Sequence, residues 1–154
     1  MTRPCPSPYF SPPKGFMPKW LNRTALRFPY LTLCTTEVDY LKAARHLRVK
    51  DPLGWLGDHS AASTHTWTNC KTGNVCCVVT IKIDRKRPMS VTASVLGHEA
   101  VHVAQEMFDH INEVSPGKEI QAYAVQNILC ELLEEYERQS KPRKKPVVHL
   151  GDPS

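Results

Sequence analysis

The chain has 154 residues, 41% of them hydrophobic and 23% charged, which suits one domain with its own core and falls short of two. That balance, with a mean hydropathy of −0.38, excludes bulk disorder and fibrous structure, and no apolar run nears the roughly 20 residues of a membrane-crossing helix. The net charge of +5 is uneven: residues 1–30 carry five basic side chains and no acid, residues 31–137 ten basic against 14 acidic, and residues 138–154 five basic against Asp152.

Seven of the 13 prolines fall within residues 1–30, where they forbid a regular helix or central strand. An extended arm is expected there, with Tyr9, Phe10, Phe16 and Trp20 able to lay it across the domain. No apolar stretch follows Met1, so no secretory signal is read and a cytoplasmic protein is expected. Reduced thiols are then the default for Cys5, Cys34, Cys70, Cys76, Cys77 and Cys130, no two of which have CxxC spacing.

Residues 31–139 form the expected domain. Tyr30 to Cys34 reads as a strand, and Thr36-Glu37-Val38-Asp39 as a capping box opening a helix to about Val49. Pro52, Gly54 and Gly57 mark a loop over 51–63. Thr64 to Asn69 and Val75 to Asp84 read as a β-hairpin joined by Lys71-Thr72-Gly73-Asn74, and turning at Gly73-Asn74 would set Cys70 opposite Cys77 and allow a bridge in an oxidising compartment. The second arm is apolar on both faces at first and then alternates, the pattern of a strand covered by helices on one side. If it lies at the sheet edge, it could hold an extended substrate by β-addition.

Ser90 is placed to cap a helix from Val91 to about Asn112 that is apolar nearly all round and so expected to be buried. Ser115-Pro116 gives an N-cap and a first-position proline to a second helix ending near Gln139. Residues 140–154 form a basic tail. Lys141-Pro-Arg-Lys-Lys-Pro146 could draw nucleic acid or an anionic surface, but no aromatics interleave the charges, which favours a solvated terminus.

The chemistry sits in His98-Glu99-Ala100-Val101-His102, an HExxH pattern within the first long helix. Histidines four apart point the same way one turn apart, so both imidazoles can reach one metal ion. Glu99 is rotated off that axis yet near enough to take a proton from an attacking water, the task of a general base. With seven His and nine Glu in the chain, chance would give such a match about 2% of the time. Burying these polar groups in an apolar helix would be costly without a partner, which a metal would supply. Gly97 costs roughly 1 kcal/mol against Ala in a helix and hints at a close neighbour.

A catalytic zinc needs a third protein ligand and one open position. Residue 108 is Phe, so the third histidine of HExxHxxGxxH is missing. Glu119, 17 residues after His102 and one turn into the next helix, is the better placed candidate. His110 lies about 12 Å along the same helix and is the runner-up; Asp109, Glu113 and His149 stay open. His46, His59, His65 and His149 read as surface histidines.

Gly97 to Gln105, with Glu119-Ile-Gln-Ala-Tyr-Ala-Val-Gln126, resembles the small gluzincin-type zinc metallopeptidases, especially those encoded by bacteriophages and prophages. The likeness covers about residues 64–137. A wider similarity links it to repressor-cleaving zincins of mobile elements. The resemblance implies a small α+β zincin-like domain, an antiparallel or mixed sheet packed on the HExxH helix and its successor. It implies zinc held by His98, His102 and Glu119, Glu99 as catalytic base, and a peptide or protein substrate; the same domain without turnover would be a zinc-binding interaction module. Large gluzincins have an aspartate four residues after the ligand glutamate, where this chain has Tyr123. Its hydroxyl could orient a ligand or steady a developing oxyanion, or the ring could be a half-buried core aromatic. Gln105 and Gln126 could hydrogen-bond near the ligands, although a solvated role is the simpler reading.

Overall fold

Strand pairing decides the architecture. The structure, a computed structural model, describes Leu21 and residues 29–57, 60–69 and 72–142. Most of the proline-rich arm, Cys5, His59, Cys70 and the tail beyond Pro142 with His149 lie outside the described residues; Cys77 is a buried thiol, and the hairpin sets Thr66 rather than Cys70 opposite it, which corrects the expected pairing. The elements in order are β1 (Tyr30–Cys34), α1 (Glu37–His46), β2 (Ala62–Thr68), β3 (Val75–Ile81), α2 (Met89–His110) and α3 (Lys118–Ser140). The three strands form one sheet in the order β1-β3-β2. β1 runs parallel to β3, with Leu31 beside Cys77 and Leu33 beside Val79. β2 runs antiparallel to β3, with Thr64 beside Val79 and Thr66 beside Cys77. The result is a small α+β fold on a mixed sheet.

β3 is the centre of that sheet, which corrects two expectations. It is not the edge; among the described strands the edge beside α2 is β2. Nor is it covered on one side only, since all seven of its residues are buried. On one face Leu31, Leu33, Cys77, Val79 and Ile81 pack on Leu96, Ala100 and Val103 of α2 and on Ile128 and Leu132 of α3. On the other, Cys34 and Val78 pack with Tyr40 and Ala43 of α1, flanked by Trp55 and Trp67. A run of Val, Cys and Ile on both sides of the pleat suits a strand sandwiched between layers. Each fully buried Leu or Val contributes about 1.5–3 kcal/mol.

The helix starts show where local signals held. Thr36 caps α1, its Oγ1 accepting from the Asp39 N–H at 3.2 Å. α1 stops earlier than Val49 because Arg48 takes a left-handed φ of 61°. α2 begins at Met89 after Pro88, with no side-chain cap, so Ser90 sits inside the first turn. α3 begins at Lys118 after Gly117, and Ser115-Pro116 belongs to the turn before it. There Asn112 adopts a φ of 55°, and the Glu113 N–H closes on the Phe108 carbonyl at 2.9 Å.

α2 is also less buried than its composition promised. Its inner stripe is Thr92, Leu96, Glu99, Ala100, Val103, Ala104, Met107 and Phe108, whereas Val91, Val101 and Ile111 are exposed. Three strands and α3 cover only one side of a 22-residue helix, so its outer face stays in solvent. At the far end of α3 a buried polar knot ties the helix to β1. The Glu135 carboxylate accepts both fork nitrogens of Arg138 at 2.7 and 2.6 Å and Nε2 of Gln139 at 2.7 Å. Gln139 Nε2 also donates to the Leu33 carbonyl at 3.0 Å, and Gln139 Oε1 accepts from the Thr35 hydroxyl at 2.6 Å.

Candidate functional site

His98 and His102 leave α2 one turn apart, both exposed to solvent. Their Nε2 atoms stand 3.1 Å apart, with ring centroids 4.7 Å apart and the planes nearly perpendicular at 84°. Two nitrogens on one tetrahedral zinc at about 2.1 Å would be separated by about 3.4 Å. At 3.1 Å the two nitrogens are within hydrogen-bond distance of each other, a little closer than a shared zinc would hold them, and helical geometry alone brings the rings there. The histidines are not buried, so the cost of desolvation gives no reason to expect a metal at them; the case rests on their mutual geometry.

Glu99, about 100° round the helix from His98, points toward the domain and is only 5% exposed. Its Oε2 accepts a hydrogen bond from the Thr64 hydroxyl on β2 at 2.6 Å, a length typical of a strong hydroxyl-to-carboxylate bond. A groove of about 380 Å³ runs between β2 and α2, lined among others by Ser63, Thr64, Thr66, His98, Glu99 and His102. The two imidazoles and the glutamate thus open onto one concavity. A second hollow of about 520 Å³ continues along α2, sharing Gln105 and Glu106 with the first and adding Asp109, Glu113 and Val114.

The third expected ligand is not with them. Glu119 is exposed in the first turn of α3 and does not line the groove. Among the described residues no three His, Cys, Asp or Glu side chains are grouped to hold a metal. Tyr123 is 60% exposed and also lies off the groove, so it is not a core aromatic. The first turn of α3 is exposed, with Ile120 likewise 60% exposed, and packing on the core begins further along, at Ala124 and Val125. His110 is exposed at the end of α2, and Asp109 and Glu113 line the second hollow rather than the first.

His65 departs from its surface reading. Half-buried on β2, its Nε2 lies 3.2 Å from the Trp55 carbonyl, and its ring stacks at a tilt on Tyr40 and Trp67. Burial lowers its pKa, partly offset by that backbone contact and by the charge of Glu99. Thr64 and Glu106 are the site residues that motif reasoning missed. The signal for Thr64 was the period-two alternation of Ala62, Thr64 and Thr66 against His65 and Trp67, which puts small hydroxyls on the face toward α2.

Comparison of the chain with protein-family models, curated proteins and solved structures finds no match.

Proposed function

We propose that this chain is a zinc-dependent metallopeptidase of gluzincin type, acting on a peptide or protein in a bacterial cytoplasm and encoded by a phage or prophage. The observation that carries the reading is the imidazole pair 3.1 Å apart beside a buried glutamate in one groove. The pair fits zinc in donor type, and its spacing lies a little short of that between two zinc ligands. His98 and His102 would hold the ion, with Glu119 as the third ligand carried by the sequence resemblance. Zinc, when bound, supplies the Lewis acidity that makes a water acidic near neutral pH. Glu99, with one carboxylate oxygen committed to Thr64, takes the proton from the attacking water and returns it to the leaving amine. β2, the sheet edge beside the groove, can pair its outer backbone with an extended peptide. Tyr123 has no step in this scheme.

Purified protein loaded with zinc is expected to hold about one ion per chain, and Glu99→Gln to keep it while losing hydrolysis by about 100-fold or more. Full activity in that variant overturns the mechanism. Glu119→Ala is expected to weaken zinc retention, and unchanged retention removes Glu119 from the ligand set. The exposed position of Glu119 favours one second reading, a zinc-binding interaction module without turnover. That reading gains if the wild-type chain holds zinc and cleaves nothing in proteolysis profiling.

A further inference from the structure

Groove-lining hydroxyls are plentiful on β2, yet only one meets the buried carboxylate. Ser63 Oγ accepts from the Gly57 N–H at 3.2 Å, and Thr66 Oγ1 turns toward Cys77 Sγ at 3.9 Å. Thr64 Oγ1 donates to Glu99 Oε2 at 2.6 Å, across 35 residues of sequence. We propose that Thr64 is the positioning residue for Glu99, clamping one carboxylate oxygen so that the other serves proton transfer in the groove. This rests on the peptidase reading and adds to it a residue outside the HExxH motif.

Three physical points support the assignment. A carboxylate 5% exposed needs a donor to replace lost water, and a charge-assisted hydroxyl contact is among the stronger ones available. A β-branched side chain has few rotamers, so its hydroxyl is held in place rather than free to swing. Thr64 also sits opposite Val79, in the middle of the fully buried central strand, which fixes the backbone that carries it. The clamp therefore connects the helix bearing the base to the strand beside which substrate would lie.

The test is kinetic and thermodynamic. In zinc-loaded protein Thr64→Val, which keeps the shape and removes the hydroxyl, should lower kcat about 10- to 100-fold, with KM within about twofold and zinc content unchanged. Thr64→Ser should restore kcat to within about threefold, because it returns the donor. In zinc-free protein, Thr64→Val should shift the urea-monitored folding equilibrium about tenfold, and that shift should shrink to less than about twofold in a Glu99→Ala background, where the acceptor is gone. An active wild type whose Thr64→Val variant keeps its kcat overturns the proposal while leaving the peptidase reading intact. So does a folding shift that persists undiminished beside Glu99→Ala. A wild type without turnover overturns both.

Discussion

At the scale of single residues, environment decides which polar groups are available for chemistry. Burial, reinforced by the charge of Asp39, pushes the Cys34 thiol up to about 12, and burial alone takes Cys76 to about 11. Neither is a nucleophile near neutral pH, since the thiolate is the reactive form. His65 moves the opposite way, because burial disfavours its charged form. The unfolded chain then binds a proton more readily than the folded one. The His65 contribution to stability is complete above the ordinary histidine pKa of about 6.5 and diminishes as pH falls below it. Urea midpoints measured from pH 7.5 down to pH 5 should therefore fall more steeply for the wild type than for His65→Gln. Equal slopes would show that the half-buried ring titrates as freely as it does in the unfolded chain. The motif residues themselves were legible: a four-residue spacing needs no more than a helix to bring His98 and His102 together. Thr64 was not, because its partner lies 35 residues away and their meeting depends on how β2 docks on α2.

At the scale of elements, local signals located the helices and strands but misplaced several ends. The Thr36 cap formed as its spacing required, since a cap involves only residues within one turn. Ser90 and Ser115 offered the same side chain, yet α2 and α3 start elsewhere. Both starts follow a residue of nearly the same backbone conformation, Pro88 at φ −55° and ψ 144° or Gly117 at φ −57° and ψ 145°, and entry into the helix is set by the chain's approach path. Gly97 is a second case. A Cβ built there would meet only Leu129 Cδ2, at 3.9 Å, an ordinary contact, so no close backbone approach requires glycine. Gly97→Ala should stabilise the fold by up to about 1 kcal/mol through helix propensity, read as a higher urea midpoint with an unchanged m-value. A destabilised variant would show that α2 and α3 sit closer than this spacing.

At the scale of the whole molecule, long-range contacts do what no window of sequence shows. The Glu135, Arg138 and Gln139 knot reaches Thr35 and the Leu33 carbonyl more than 100 residues earlier, tying the last helix to the first strand. Gln139→Ala leaves a buried carbonyl and carboxylate short of a donor and should cost about 1–3 kcal/mol, measured by chemical denaturation. A loss well under 0.5 kcal/mol would mean that water replaces the amide freely. The same scale governs the candidate site. The sequence by itself determined the α+β class, the hairpin, two long helices and the HExxH pair, because each depends on side-chain periodicity or spacing within a few turns. Only the tertiary structure decided that β3 is central and β2 the edge, that Glu99 is buried against Thr64 while its histidine neighbours face solvent, and that Glu119 stands apart from them. Those outcomes depend on which faces the sheet and α3 cover, a competition for buried area among segments far apart in the chain.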